Sequence, residues 1–458
     1  MLNPGGRSGS LTSGKIFFFW LPLASTWIMM ALEVPVLSAL MARMDEPRYN
    51  LAAFGVAFAA RVVVEAPVVM LMAAAVRLVR NRQTYRRLRR FAFLMTTGVT
   101  INFLILQIPG FFELWTIGWL NLDPELARLS GDTMLAVTVF PAAIGYRRFY
   151  QGILILENRG KEVAGGTVIR LLVMLALGLV FFVFPILPGA VAAGVALTGG
   201  AIAEAAFVRL RCRHLVRRLR KNLDERGKPL PDAEPLTWPG MARFYLPLAM
   251  TGMLSVMMSP AITFALSHTD DALDSLAVLP VVNAVGFIFR AMPLAYQEVI
   301  IALMGSRSEG YFALRRYAMG MGTVLTLLLA LLALTPLSGF WYQNISGLSP
   351  ALAELARIPT IVLIFLPGVS LILCWQKSVL IHLQRTGPVT IASALEIAVV
   401  ILVLVAGLYW WPIQGVIVAI AAQVIARSLV NLYLAPPTAY RNFPPGCADL
   451  VQTNHRTR

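Results

Sequence analysis

Twelve apolar stretches recur along the chain, each long enough to cross the roughly 30 Å hydrocarbon core of a lipid bilayer. Hydrophobic residues make up 58% of the 458 residues and charged residues only 14%, so such stretches dominate the sequence. Because hydrocarbon offers no water to the backbone, each stretch must satisfy its own peptide groups, and alternating strand patterns are absent. The sequence therefore predicts an all-α integral membrane protein. The predicted spans are residues 16–41, 50–78, 90–110, 130–156, 163–186, 188–210, 241–267, 275–304, 315–337, 357–383, 388–411 and 413–435.

The second half of the chain repeats the first. Phe19–Ala24 returns as Phe244–Ala249 at an offset of 225 residues, and Leu88–Ala92 returns as Leu314–Ala318 at an offset of 226. Six helices per half give both halves the same orientation, so the two repeats are predicted to be parallel, as in many secondary transporters. The predicted divisions are an N-terminal six-helix lobe (1–210), a basic, proline-bearing cytoplasmic linker (211–239), a C-terminal six-helix lobe (240–436) and a cytoplasmic tail (437–458).

The basic residues predict the orientation in the membrane. Seven arginines lie between Arg77 and Arg90, and the linker is also strongly basic, whereas the loops around Asp45, Glu113 and Asp270 are acidic or balanced. Basic loops stay in the cytoplasm, so both termini are predicted to be cytoplasmic. The first apolar run is too long for a signal-peptide core and is expected to be retained. These features favour a bacterial inner membrane.

The formal net charge of +16 follows from the same bias. It predicts contact with anionic membrane lipids rather than nucleic acid, for which the sequence offers no soluble domain. Neither a zinc-protease motif nor a nucleophile-elbow motif is present, and the four histidines are scattered, so an enzyme is not expected. Cys212, Cys374 and Cys447 suggest no disulfide framework. No cofactor is predicted beyond a coupling proton or sodium ion.

Six prolines inside the predicted spans remove backbone hydrogen bonds and are expected to kink their helices. They are Pro35, Pro67, Pro141, Pro260, Pro293 and Pro367. Kinks of this kind let a lobe open and close, although packing geometry alone explains some of them equally well.

Twelve ionisable residues lie inside the predicted spans, where each charge costs roughly 2.5–3.5 kcal/mol to insert unless it faces a cavity or a partner. They are Glu33, Arg61, Glu65, Arg147, Arg148, Arg170, Glu204, Arg290, Glu298, Lys377, Glu396 and Arg427. Basic groups outnumber acidic ones by seven to five. Since guanidinium binds carboxylate and phosphate through paired hydrogen bonds, this excess favours a cleft for an anionic small molecule.

Two of these positions are related across the repeat with reversed sign, Glu65 with Arg290 and Arg170 with Glu396. We assign substrate binding to Arg61, Arg147, Arg148, Arg290 and Lys377. We assign gating or coupling to Glu33, Glu65, Arg170, Glu298 and Glu396. The alternative for each is a static role. Arg61 and Glu65 lie four residues apart on one helical face, Arg170 can snorkel to the surface, and Arg147 or Arg148 can pair with Glu33 or Glu298.

Several short segments carry a family resemblance. Leu21–Ala24, Leu51–Phe58, Phe140–Leu154 and Phe244–Ala249 resemble the multidrug and toxic compound extrusion (MATE) transporters of the multidrug/oligosaccharidyl-lipid/polysaccharide exporter superfamily, and within it the progressive ankylosis protein family. The resemblance implies two six-helix lobes around a central V-shaped cavity, alternating access, and export of organic or phosphorylated anions. MATE drug exporters often carry an aspartate in helix one, whereas the only acid here is Glu33, at a different spacing.

Three other functions remain open at this stage. Cation-coupled multidrug efflux would use the glutamates as the substrate site if the arginines pair elsewhere. A lipid-linked precursor or polysaccharide flippase would also use a basic cavity but needs a lateral opening to lipid. A membrane enzyme or passive scaffold has no motif in its favour.

Overall fold

The computed structural model of the protein describes residues 11–157, 159–221, 237–304, 310–383, 385, 387–410 and 413–438. Every regular element in this part of the chain is helical. Most of the predicted linker and the predicted tail beyond Thr438 lie outside the described residues.

The first half contains eleven α-helices. They are α1 (Ser13–Ala31), α2 (Glu33–Met41), α3 (Pro47–Val69), α4 (Leu71–Leu78), α5 (Arg82–Ile105), α6 (Phe111–Glu113), α7 (Pro124–Ala136), α8 (Phe140–Leu156), α9 (Gly160–Val183), α10 (Gly189–Arg211) and α11 (Arg213–Lys221). A π-helical turn, Leu114–Trp119, follows α6. We call residues 11–221 the N-terminal half.

The second half follows the same order. Its helices are α12 (Trp238–Val256), α13 (Met258–Leu266), α14 (Ala272–Leu303), α15 (Tyr311–Leu334), α16 (Leu337–Gly339), α17 (Pro350–Leu363), α18 (Leu366–His382), α19 (Gly387–Trp410) and α20 (Gly415–Thr438). The π-helical turn Phe340–Ile345 stands exactly 226 residues after its counterpart Leu114–Trp119. The offset found in the sequence thus recurs in the order of the elements. The two-fold arrangement of two lobes stays a prediction.

Among the described residues, nine helical segments are long and apolar enough to cross a membrane. A tenth is formed if α17 and α18, which are bent by 42° at their junction, count as one span. The protein is therefore a multi-pass membrane protein. The predicted spans 130–156 and 241–267 are also helical, but each is divided into two helices, α7 with α8 and α12 with α13. Twelve crossings remain a prediction.

Proline explains most of the divisions. Pro35 and Pro260 are the third residues of α2 and α13, and Pro141 and Pro367 are the second residues of α8 and α18, so each follows directly on a break between two helices. A proline at the beginning of a helix costs little, because the first amides have no intrahelical partner, whereas the residues before it lose the continuous hydrogen-bond ladder. The predicted kinks are confirmed at these four positions. Pro67 and Pro293 lie within α3 and α14.

The two halves meet through α1, α3, α12 and α14. Helix α14 packs along both α1 and α3, and α12 packs on α3. Gly55 of α3 lies against α14, where a Cβ atom would be 3.5 Å from the carbonyl oxygen of Leu276, an ordinary van der Waals contact. The Tyr245 hydroxyl donates to the carbonyl oxygen of Pro67, and the Trp20 indole donates to that of Met292 at 3.3 Å.

Candidate functional site

The buried charges form two groups, one in each half. In the N-terminal half, Arg147 of α8 and Arg170 of α9 lie against Glu33 of α2 and Glu204 of α10, and all four side chains are buried. Arg147 pairs with Glu204 and Arg170 pairs with Glu33. Arg170 also lies 3.8 Å from a Glu204 carboxylate oxygen, so the four charges form one continuous network. We call these four residues the N-terminal cluster.

Polar support for the N-terminal cluster comes from Gln151, one turn after Arg147 on α8. Its amide donates to the second Glu204 oxygen, Oε1, at 3.2 Å. Helices α8 and α9 both pack on α10, which places the carboxylate of Glu204 between the two arginines. Removing ions from water is costly, and close pairing with hydrogen bonds repays that cost. The cluster holds two positive and two negative charges, so it is neutral as a unit.

A second ion pair of the N-terminal half lies on α3. Arg61 donates to Glu65 at 3.0 Å, in the i, i+4 geometry that was the static alternative for these two residues. The guanidinium of Arg61 also lies 4.3 Å from the Phe58 ring centre and 4.2 Å from that of Phe140. Aromatic faces attract a cation electrostatically, so Arg61 is held on three sides.

Arg148, next to Arg147 on α8, points to different neighbours. Its one hydrogen bond in the described part of the chain goes to the sulfur of Met72, at 3.8 Å. Adjacent residues lie about 100° apart around a helix, which explains why only Arg147 reaches the cluster.

In the C-terminal half, the charged residues surround Glu396 of α19. Arg427 of α20 donates to its carboxylate at 3.1 Å, and the Lys377 ammonium of α18 lies 3.8 Å away. Lys377 also donates to the hydroxyl of Ser393 at 3.4 Å. Glu396 is therefore shared by two cations.

Arg290 of α14 adds a third positive charge to this region. Helix α14 packs on both α18 and α20, which brings Arg290 under the electrostatic influence of Arg427 and Glu396. The guanidinium lies 5.6 Å from the Phe287 ring centre. Within the described residues, Arg290 has no hydrogen bond and no carboxylate within ion-pair distance.

We call Arg290, Lys377, Glu396 and Arg427 the C-terminal cluster. It holds three positive charges and one negative charge. Its arrangement leaves a half-buried guanidinium available to an anion.

Glu298 lies apart from both clusters. It is exposed, near the end of α14, and accepts a hydrogen bond from the Trp27 indole at 3.4 Å. This contact joins α1 to α14 and thus one half to the other. In the part of the chain that the structure describes, no cation pairs with Glu298.

Comparison with the sequence-based assignments shows which residues meet. The ten assigned residues are all described, but the repeat-related pairs Glu65 with Arg290 and Arg170 with Glu396 do not contact each other, because each glutamate has a partner in its own half. The expected static partners of Arg147, Glu33 or Glu298, were wrong, since α8 packs on α10 and brings Glu204 to it. Snorkelling of Arg170 was wrong as well, because that side chain is buried against Glu33.

Two residues of the clusters, Glu204 and Arg427, and the neighbouring Gln151 were not assigned a role from sequence. Glu204 and Arg427 were recognised as intramembrane charges, and Gln151 was not recognised at all. The signal that would have found Glu204 is its position on α10, which is rich in glycine and alanine. Small residues such as Gly194 and Gly200 let neighbouring helices approach closely and surround a charge that must then be paired.

Several polar atoms in and beside these clusters have no hydrogen-bond partner among the described residues. In the N-terminal cluster they are Glu33 Oε1 and the Nε atoms of Arg147 and Arg170, beside it Gln151 Oε1, and in the C-terminal cluster one nitrogen of Arg427. A carboxylate oxygen without a donor is a place where a proton can bind. No group of three metal-ligating side chains occurs among the residues described.

The cysteines show no sign of reactivity. Cys212 and Cys374 are both buried and free, and Cys447 lies outside the described residues. Cys212, at the end of α10, donates to the Tyr150 carbonyl oxygen at 3.2 Å. Burial raises the pKa of its thiol to about 12, so the reactive thiolate is scarce at neutral pH.

Solved structures share this arrangement of helices. A multidrug resistance MATE family transporter of the MOP superfamily, in an inward-facing conformation, superposes with a TM-score of 0.63 at 14% identity, covering 92% of this chain and 98% of its own. Lipid II flippase MurJ, in an inward closed conformation, gives 0.64 at 15% identity, covering 98% and 91%.

A third similar structure is a MOP superfamily transporter from Pyrococcus furiosus, with a TM-score of 0.61 and 14% identity over 93% of this chain and 96% of its own. Its description reports a binding pocket of reverse polarity that suggests a different function. No protein-family model and no curated protein matches the chain. At these identities the likeness establishes a MATE-like fold, while the resemblance to the progressive ankylosis family stays a prediction.

Proposed function

We propose that the protein is a secondary transporter that moves a small organic or phosphorylated anion across the membrane by alternating access. The proposal is supported by the MATE-like fold and by structural neighbours that are described as transporters. We also propose that the chain crosses the membrane twelve times, in two six-helix lobes, with both termini in the cytoplasm. The membrane is proposed to be a bacterial inner membrane. The resemblance to the progressive ankylosis family supports the anionic substrate.

The observation that carries this proposal is the excess of positive charge in the C-terminal cluster. Arg290 has no carboxylate partner among the described residues, and Arg427 and Lys377 share the single carboxylate of Glu396. An unpaired guanidinium away from water is costly, and an anionic ligand supplies the missing charge and acceptors. We therefore assign anion binding first to Arg290, with Lys377 and Arg427 beside it.

Contacts between the halves support one conformation of the alternating-access cycle. Arg48 pairs with Asp274 at 3.2 Å, and Arg43 donates to the carbonyl oxygen of Asn344. Both contacts lie at the helix ends that the charge bias predicts to be non-cytoplasmic. We propose that the structure is closed on that side and that substrate enters from the cytoplasm.

Glu33 is the candidate for a coupling proton. Its Oε1 oxygen has no hydrogen-bond partner in the described part of the chain and its other oxygen binds Arg170, so protonation would weaken one ion pair of the N-terminal cluster. Such a change would alter how α2 packs on α9. A sodium ion is the alternative coupling ion, and the transport measurement described below distinguishes the two by imposing either a pH gradient or a sodium gradient.

A lipid-linked precursor flippase is the second candidate function. The observation that favours it is the likeness to lipid II flippase MurJ over 98% of this chain. Cationic drug efflux has one residue in its favour, Glu298, whose carboxylate lacks a cationic partner in the described residues.

Transport by purified protein in liposomes tests these alternatives. Efflux of citrate and pyrophosphate is compared with efflux of a cationic dye, each with and without a pH gradient and a sodium gradient. We expect movement of an anion that the pH gradient accelerates. Arg290→Ala should reduce it on the order of 30-fold, as the loss of a charged hydrogen bond of about 2 kcal/mol implies.

Arg290→Lys is the matched variant, because it keeps the charge and loses the paired geometry, and partial transport is expected. Gradient-driven movement of the dye without anion movement would contradict the proposal and transfer the substrate site to the glutamates. Binding of a lipid-linked precursor without movement of either small ion would favour the flippase.

A further inference from the structure

A groove of about 770 Å³ lies on the surface of the C-terminal half, and none of its described lining residues belongs to either charge cluster. It is lined by α15 from Tyr311 to Leu327, by α18 from Gly368 to Gln376, and by the end of α20. The Tyr311 hydroxyl donates to the carbonyl oxygen of Thr438 at 3.1 Å and closes one end of it. With a rise of 1.5 Å per residue, the stretch of α15 along the groove is about 24 Å long.

The open side of the groove is lined by exposed apolar side chains. Met319 and Leu327 on α15 are each 63% exposed, and Ile372 on α18 is 48% exposed. Helix α15 is one of the membrane-spanning candidates, and α18 belongs to the bent tenth span. The exposed side of the groove therefore meets hydrocarbon, and its length exceeds the roughly 15 Å half-thickness of a bilayer core.

A basic residue lies at the Tyr311 end. Arg315, one turn further along α15, lines the groove, and its guanidinium is 5.8 Å from the ring centre of Trp375. Arg315 is exposed, and it has no carboxylate partner within the stretches described. This end of α15 is the one that the charge bias predicts to be cytoplasmic, where the leaflet carries anionic lipids.

We propose that the groove binds one anionic phospholipid, with an acyl chain along α15 and α18 and the phosphate on Arg315. A long apolar channel that ends at an exposed guanidinium matches such a molecule in shape and charge. Arginine holds phosphate through paired hydrogen bonds, and the Trp375 ring lies where the chain meets the headgroup. The proposal does not depend on which substrate is transported, because the groove contains no residue of either charge cluster.

Two pairs of adjacent residues supply matched variants. Arg315 lines the groove, whereas Arg316, which is also exposed, does not. Thr323 lines the groove, whereas the exposed Val324 beside it does not. Substitution of Arg316 or Val324 therefore controls for substitution of Arg315 or Thr323, because it makes the same kind of change at a neighbouring exposed residue outside the groove.

The test measures lipid that stays bound. Full-length protein is incorporated into phosphatidylcholine nanodiscs containing phosphatidylglycerol, extracted in mild detergent, and analysed by native mass spectrometry. We expect one retained phosphatidylglycerol per protein. Arg315→Ala should reduce retention about fivefold to tenfold, and Thr323→Trp should reduce it by filling the groove, while Arg316→Ala and Val324→Trp retain it.

Two results would overturn the site. Equal loss in Arg315→Ala and Arg316→Ala would mean a general attraction of lipid to basic residues, and unchanged retention in both groove variants would mean that the lipid binds elsewhere. Equal retention of phosphatidylcholine, which also has a phosphate but no net charge, would overturn the proposed selectivity for an anionic lipid. Folding of every variant is checked by its thermal unfolding, so that a loss of lipid is not mistaken for a loss of structure.

Discussion

The two halves of the protein carry their buried charges in different proportions. In the N-terminal cluster, Arg147 and Arg170 are matched by Glu33 and Glu204. The C-terminal cluster has three cations and one carboxylate, Glu396, which pairs with Arg427 and Lys377 but not with Arg290. In a neutral network the charges compensate each other, so it stabilises helix packing and attracts an ion only weakly. A network with excess positive charge can bind an anion that compensates it. In the proposed function, the N-terminal cluster stabilises the packing of its helices and the C-terminal cluster binds the anion.

The repeat shows how this difference arises. Arg290 corresponds to Glu65 at the offset of 225 residues, and the position that corresponds to Arg61, the partner of Glu65, is Gly286. The partner four residues earlier is thus missing from the C-terminal half. At the offset of 226, Lys377 corresponds to Gln151, so an amide in one half is an ammonium in the other. Both differences add positive charge to the C-terminal half.

The largest effect is expected from Glu204→Gln. Glu204 is fully buried and contacts both arginines of the N-terminal cluster, so its neutralisation leaves buried positive charge without compensation. Loss of one partner of a buried ion pair costs about 3–5 kcal/mol. We expect a marked fall in the midpoint of thermal unfolding in detergent, followed by intrinsic fluorescence.

Glu396→Gln is the matched variant in the other half, because the same change removes the only carboxylate of the C-terminal cluster. Citrate or pyrophosphate should restore the stability of Glu396→Gln, since an anion can take the place of the carboxylate. Neither should restore Glu204→Gln, whose surroundings are closed. Restoration of both variants would erase the proposed difference between the halves.

A smaller effect is expected from Arg148→Ala. Arg148 is the one arginine of the N-terminal half assigned to substrate binding that contacts no carboxylate in the described residues. If anions bind in the C-terminal half, its loss should change citrate efflux from liposomes by less than about threefold, compared with on the order of 30-fold for Arg290→Ala. Equal losses in the two variants would mean that the site spans both halves.

Much of the fold could be predicted from the sequence, because the length of an apolar stretch, the position of a proline and the internal repeat are all visible without knowledge of tertiary contacts. Pro141 and Pro367 predicted breaks that the structure has. Which charged side chains form ion pairs was harder to predict from the sequence. Sequence gives the approximate depth of Glu204 and Arg147 in the membrane, but whether their side chains meet depends on the rotation of α8 and α10 about their axes, which packing decides. Only Arg61 and Glu65, on one helix, could be paired in advance.

The smallest effect on stability, and the sharpest test of movement between the halves, is expected from Arg48→Ala. Arg48 and Asp274 form an exposed ion pair between the halves, whereas Arg357 and Glu354 form an exposed pair at 3.5 Å within α17. Each pair is worth about 0.2–1 kcal/mol, so neither variant should unfold the protein.

Only the pair between the halves bears on which side of the transporter is open. Loss of up to 1 kcal/mol from the closed side changes a two-state equilibrium by at most about fivefold. We therefore expect Arg48→Ala to raise the rate at which a cysteine introduced at Phe54, a buried residue of α3, reacts with a thiol reagent added from the non-cytoplasmic side. Arg357→Ala should leave that rate unchanged. Equal rates in all three proteins would mean that this contact does not hold the halves closed, and closure would then rest on the apolar packing of α3 against α14.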